Sequence, residues 1–235
     1  MKAPPARCTF LVHVGRVVLK VGGAVAEGAA AEARALHDAG DEVCVVHGAG
    51  PQISAAMERR ELEVAFVGGR RVTSPAALEV VRTALAEVNS ALCAAIGPAA
   101  VGLMGDEIGI DAVQLPELGL VGDPRPSRPE AVERAIRDGR IPVVAPLARG
   151  PLNVNADETA VALAAGLEAG RLLFVTDVPG LLVDGGVVPS IGADEADRLL
   201  AADRFEGGIV PKLRAAVHAA RLGLRVEIGE TEVVA

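Results

Sequence analysis

The chain has 235 residues, 51% of them hydrophobic, which is enough apolar side chain to pack one large domain or two small ones. Its 23 Lys and Arg stand against 31 Asp and Glu, a formal net charge of −8, so bulk-charge binding of nucleic acid or of an anionic membrane is excluded. Aromatic residues make up 2%, with no Trp and no Tyr, which argues against a base-stacking platform, and charged residues at 23% argue against disorder.

No apolar run reaches the roughly 18 residues that span a bilayer. At the N-terminus Lys2 and Arg7 precede the short apolar stretch Thr9–Val14, and Arg16 and Lys20 follow with no small-residue cleavage site. That pattern predicts a strand with a tail rather than a secretory signal. Cys8, Cys44 and Cys93 are odd in number, far apart and without a C-x-x-C pair. Neither a disulfide scaffold nor a zinc site is expected, and the reading is a cytoplasmic protein.

Short β-branched runs alternate with longer Ala/Leu/Glu/Arg stretches along the whole chain. The patterns predict strands at Val17–Val21, Glu42–Val46, Ala100–Leu103, Pro142–Ala145, Leu172–Val175 and Arg225–Ile228. Helices are predicted up to His37, from Gln52 towards Arg60, and over Pro75–Ile96, Arg128–Asp138, Glu158–Glu168, Asp194–Ala201 and Pro211–Leu222. Continuous apolar strands between helices imply an α/β fold with a mainly parallel central sheet covered on both faces. The Pro-rich stretch Asp123–Pro129 is the predicted seam between two lobes.

Two strand-to-helix turns are rich in glycine, Lys20-Val21-Gly22-Gly23 and His47-Gly48-Ala49-Gly50-Pro51. A helix start offers unpaired N–H groups and the positive end of the dipole, and glycine admits a phosphate without a Cβ in the way. Neither turn fits G-x-G-x-x-G or the Walker pattern, and either one alone also reads as a plain tight turn.

Further motifs follow in order: Gly69-Arg70-Arg71-Val72-Thr73, Val88-Asn89, Gly102-Leu103-Met104-Gly105, Leu152-Asn153-Val154-Asn155-Ala156-Asp157, Thr176-Asp177-Val178-Pro179-Gly180-Leu181 and Gly207-Gly208-Ile209-Val210-Pro211-Lys212. With the two glycine turns, this ordered set resembles the amino acid kinase family, and within it the branch that phosphorylates N-acetylglutamate on the way to arginine. The resemblance runs from residue 17 to about 228. It implies a single three-layer αβα domain in two lobes, with acyl-acceptor binding and dimerisation in residues 16–145 and ATP binding in 150–235. It also implies ATP as phosphoryl donor, Mg²⁺ held mainly through phosphates, N-acetylglutamate as small-molecule acceptor, and a homodimer.

The residue types suit an acyl-phosphate-forming kinase on their own terms. A carboxylate is already a nucleophile, so the demand is electrostatic rather than for a general base. By resemblance Lys20 and Lys212 contact the transferring phosphoryl oxygens and Asp157 holds both ammonium groups. Lone lysines and aspartates are usually solvated surface charges; Lys20 differs because it ends a buried-type strand, where a charge needs a partner. Asp157 also suits the N-cap of the following helix. His47 ends a buried strand and is read as structural, bonding the glycine loop.

Arg71 offers a fork for the acceptor's α-carboxylate. By resemblance Asn153 assists it, Gly48, Ala49 and Gly50 border the acceptor, and Val88-Asn89 lines its pocket. Arg70 reads as a surface charge. The nucleotide is assigned to Gly22, Gly23, Thr176, Asp177, Val178, Gly180, Gly207 and Gly208, with no protein metal ligands.

Three departures from the family pattern stand out. Ala49 replaces a glycine, at a cost of about 1 kcal/mol if that residue has φ > 0. Ala145–Gly150 leaves little room for the usual hairpin before Asn153, and Ile228–Val234 skips a helix. The tail before the first core strand, with Pro4-Pro5, is shorter than the N-terminal helix of arginine-inhibited hexameric relatives. Insensitivity to arginine is therefore expected, with an assembly smaller than a hexamer. The alternatives are a sibling kinase acting on (carrier-linked) aminoadipate and an inactive ligand-binding homologue.

Overall fold

β-branched runs and alanine-rich runs separate into strands and helices in the order their patterns predict. The computed structural model describes residues 15–22, 26–176, 179–183 and 185–235. The first part of the chain forms β1 (Arg16–Val21), α1 (Ala26–Asp38), β2 (Glu42–His47), α2 (Gly50–Arg59), β3 (Phe66–Val67), β4 (Arg70–Arg71), α3 (Pro75–Ile96) and β5 (Ala100–Met104). Then come α4 (Gly105–Ile108), β6 (Ala112–Gln114), a 3₁₀ turn at Pro116–Leu118, β7 (Val121–Pro124), α5 (Glu130–Arg137), β8 (Ile141–Ala145), β9 (Leu147–Ala148) and β10 (Leu152–Val154). The remainder is α6 (Ala156–Gly166), β11 (Arg171–Val175), β12 (Leu182–Val183), β13 (Gly186–Val187), β14 (Ser190–Gly192), α7 (Ala193–Ala201), α8 (Ile209–Arg221), β15 (Arg225–Ile228) and β16 (Thr231–Val234).

Eight strands form one sheet in the order β14-β16-β15-β11-β1-β2-β8-β5. Every neighbouring pair is parallel except β15 with β16. Alternation within the buried strands divides the core into two layers. Val18, Cys44, Val46, Val144, Leu172 and Phe174 face α5, α6 and α8. Val17, Leu19, Val43, Val45, Val143 and Leu173 face α1 and α3. Strands buried on both faces must be apolar throughout, which is why the sequence shows runs and not alternation. The result is a helix–sheet–helix sandwich.

Local chemistry sets the helix ends. Ser74 Oγ accepts from Ala77 N and Pro75 opens α3; Gly97, at φ 97°, closes it. β15 turns directly into β16 through Gly229-Glu230, with no helix between. Gly229 has φ 53°, and a Cβ there would lie 2.5 Å from Pro179 O, so the turn requires glycine.

Two expectations need correction. The stretch Asp123–Pro129 is not where the chain passes between halves of the sheet, because β8, which follows it, pairs with β2 and β5. Its prolines mark a segment docked on α6: Ser127 N donates to Ala162 O, and a Cβ on Gly166 would stand 2.2 Å from Ser127 O. The hairpin before Asn153 is present after all, as β9 paired antiparallel with β10 around a turn with Gly150 at φ 106°. Among the described residues no helix is long and apolar enough to cross a membrane.

Candidate active site

β1, β2 and β11 are parallel neighbours, so their C-terminal ends come out side by side. They open into a cleft of about 570 Å³, in the position where open α/β sheets bind ligands. Three helices, α2, α6 and α8, begin in its wall, supplying N–H groups and three positive dipole ends. Gly48 N donates to Val21 O at 2.9 Å, which ties the two glycine turns together.

At one end of the cleft Lys20, only 8% exposed, places Nζ 2.7 Å from Asp157 Oδ1. Burying this lysine requires such a partner. Asp157 is not the helix N-cap. Asn155 takes that role, its Oδ1 accepting from Asp157 N at 2.8 Å and Glu158 N at 3.2 Å. With capping done by Asn155, the Asp157 carboxylate is left to face the lysine from the first turn of α6. Its buried Oδ1 has the Lys20 ammonium at 2.7 Å, a charge contact that compensates the burial of both groups. Lys212 lines the same cleft from the first turn of α8. Gly207, at φ 66°, makes the turn before that helix and Gly208 caps it.

At the other end Arg71, 6% exposed, lies on β4. Its Nη2 donates to Gly50 O at 3.1 Å and to Ser54 Oγ at 2.9 Å, and its guanidinium stacks 4.5 Å from the Phe66 ring centroid. No carboxylate pairs with it among the described residues, and burial lowers its pKa. A guanidinium withdrawn from water and lacking a counter-ion is a cation prepared for an anion. Asn153 lines the cleft beside it; Asn153 Nδ2 donates to Thr73 Oγ1 at 3.0 Å, and that hydroxyl donates to Arg71 O at 2.7 Å.

The remaining expectations divide. Ala49 has φ −144°, so the missing glycine imposes no left-handed strain. Gly22, Gly48, Gly50, Thr176 and Gly208 line the cleft; Gly180 and Gly207 are not among its lining. Gly180 is packed on Thr231, whose Oγ1 would be 2.7 Å from a Cβ there. Gly23, Asp177 and Val178 lie outside the described residues. Val88 and Asn89 do not line the cleft: Asn89 Nδ2 donates to Val143 O at 2.8 Å and lies 3.1 Å from His47 Nε2. Arg70, expected at the surface, is half-buried between Asp123 and Glu158. Sequence reasoning also missed Ser54 and Phe66, whose roles come from the β3–β4 hairpin folding over α2; no spacing in the chain signals that contact.

His47 is structural. Its Nε2 accepts from Asn89, which puts the proton on Nδ1, 3.4 Å from Gly48 O. Burial pushes its pKa down to about 4 from 6.5. Between those values the unfolded chain binds a proton that the folded chain refuses, so stability is lost as the pH is lowered through that window. The expected loss from pH 6.5 to pH 4 is about 3 kcal/mol. Urea unfolding of the protein and of His47→Gln across this range checks it; equal losses in the two would remove His47 as the cause.

Among the described residues no cluster of three or more His, Cys, Asp or Glu could hold a metal, and Asp157 is the only carboxylate among those lining the cleft.

The family model described as "Amino acid kinase family" matches residues 15–230. An acetylglutamate kinase of Rubrobacter xylanophilus is 41% identical over 221 residues, covering 90% of this chain and 87% of its own. One from Halalkalibacterium halodurans is 34% identical, over 86% and 84% of the two chains. Among solved structures, the protein smu.665 of Streptococcus mutans superposes with a TM-score of 0.84 at 28% identity, over 93% of this chain and 98% of that one.

Proposed function

The chain belongs to the amino acid kinase family, and from that premise we propose that it transfers the γ-phosphoryl group of ATP to the side-chain carboxylate of N-acetyl-L-glutamate. The product is an acyl phosphate, and the setting is cytoplasmic arginine biosynthesis. The observation that carries this reading is the buried guanidinium of Arg71, with no carboxylate partner among the described residues, sharing one cleft with the Lys20–Asp157 pair.

N-acetylglutamate brings two carboxylates and an amide. Arg71 forks the α-carboxylate, and the unspent part of the Asn153 amide meets the acetamido group. The side-chain carboxylate is thereby directed to the lysine end. There its oxygen attacks the γ-phosphorus, and the bond to the bridging oxygen of ADP breaks. No proton moves, because the nucleophile is an anion from the start. Lys20 and Lys212 neutralise phosphoryl oxygens as charge shifts to the leaving group, and Asp157 keeps their ammonium groups in place. The N–H groups of the Gly48-Ala49-Gly50 loop and of Gly22 add donors. Of the residues assigned to the nucleotide, Thr176 and Gly208 line the cleft and would border it. The family likeness supports reading residues of about 16–145 as the acceptor lobe and 150–235 as the nucleotide lobe.

Mg²⁺ held through the nucleotide's phosphates would neutralise part of their charge, and Asp157 is the carboxylate at hand to it. The family likeness supports a homodimer joined through the acceptor lobes.

ADP release with N-acetylglutamate, glutamate, aspartate and aminoadipate in turn tests the acceptor. The expected result is turnover with N-acetylglutamate at least about tenfold above the others, since unblocked acids leave the amide contacts unmade. Preference for aminoadipate would favour the sibling kinase instead.

A further inference from the structure

The β3–β4 hairpin carries two adjacent arginines, and in a strand adjacent side chains leave on opposite faces. Arg71 enters the cleft. Arg70 stands in the wall between the cleft and a second cavity behind it. There its Nε donates to Glu158 Oε2 at 2.9 Å and Oε1 at 3.1 Å, and its Nη2 to Asp123 Oδ1 at 2.6 Å. Asp123 Oδ2 takes Arg125 at 3.1 Å, so that carboxylate is held from both sides.

Adjacent residues also divide on the other side of the cleft, here around the first turn of a helix. Asp157 faces Lys20, while Glu158, the next residue on α6, faces Arg70. The hairpin tip is tied to the same helix start a second time, by Asn155 Nδ2 donating to Gly69 O at 3.0 Å. Gly69 also lies against α8: a Cβ there would stand 2.9 Å from Pro211 Cβ. Yet the hairpin is only two residues on each strand, and Phe66 and Val67 are 54% and 56% exposed. A hairpin this short has little stability of its own, so its position depends on these ties.

We infer that Arg70 is a positioning residue: by clasping Glu158 and Asp123 it holds the hairpin against α6 and β7, so that Arg71 presents its fork to the acceptor's carboxylate at a fixed distance from the Lys20–Asp157 end. Burial pushes the Glu158 carboxyl up and the Arg70 guanidinium opposes that rise, the pair being half-buried. The inference rests on the acceptor assignment made above, in that Arg71 is taken to bind the carboxylate.

The test uses Arg70→Leu, which keeps bulk but removes both ion pairs, with Arg70→Lys as the conservative variant and Glu158→Gln as the partner change. In Arg70→Leu the KM for N-acetylglutamate should rise roughly tenfold, with KM for ATP and kcat within about twofold. Arg70→Lys should recover part of the loss, since charge survives without the fork, and Glu158→Gln should show a smaller rise. A second arm needs no turnover. The chain has no Trp and no Tyr, so Phe66→Trp introduces a single indole on the hairpin. Its fluorescence should become more quenchable by acrylamide when Arg70→Leu is added. Unchanged acceptor KM in Arg70→Leu overturns the proposal, whether or not quenching changes. If the unmodified protein does not phosphorylate N-acetylglutamate, the acceptor assignment has failed. The quenching arm then decides the clasp alone: increased quenching sustains it and unchanged quenching overturns it.

Discussion

Lys212→Ala is expected to lower kcat by roughly 100-fold or more while KM for N-acetylglutamate changes little. Lys212 stands in the first turn of α8, after the Gly207-Gly208 turn, and lines the cleft that also holds Lys20 and Asp157. Its contact with the phosphoryl group strengthens as negative charge moves to the leaving oxygen, so the loss belongs to the transition state and not to ground-state binding of the acceptor. The substitution should leave the fold intact, because Lys212 is only half-buried and alanine suits a helical first turn at least as well as lysine. Steady-state kinetics alongside a thermal melt separate the cases: an unchanged kcat in a folded variant would remove Lys212 from the mechanism.

Arg71→Lys should act on the other substrate. The ammonium keeps the charge but not the planar fork, and it loses the paired contacts to Gly50 O and Ser54 Oγ and the stacking on Phe66. Hydrogen bonds to charged groups contribute about 1.5–3 kcal/mol each, so losing one arm of the fork predicts a rise in acceptor KM of roughly 10- to 100-fold. KM for ATP should stay nearly constant. A rise in ATP's KM instead would show that Arg71 serves the nucleotide.

Much of the fold was legible because its signals are local. Strands buried on both faces read as unbroken apolar runs, and Ser74-Pro75 with Gly97 marks α3 at both ends. The corrections all concern competition or distance. At the start of α6, Asn155 and Asp157 both qualify as cap; the asparagine wins, and only the paired Lys20 on β1 shows what the aspartate is for. Pro124, Pro126 and Pro129 signal a linker in sequence, whereas the structure packs the intervening Ser127 tightly on α6. The Lys20, Asp157, Lys212 and Arg71 set was readable as candidates through motif order. Their gathering in one cleft depends on β1 lying between β2 and β11, a crossover that no spacing encodes. The role of Arg70 was hidden for the same reason: Glu158 is 88 residues away.

The central claim is that this cleft makes an acyl phosphate, and trapping that product with hydroxylamine tests it most directly. With ATP, Mg²⁺ and N-acetyl-L-glutamate, the account predicts one hydroxamate formed for each ADP released, lost together in Lys212→Ala. ADP release without hydroxamate, or hydroxamate formed only from a different acid, would contradict it.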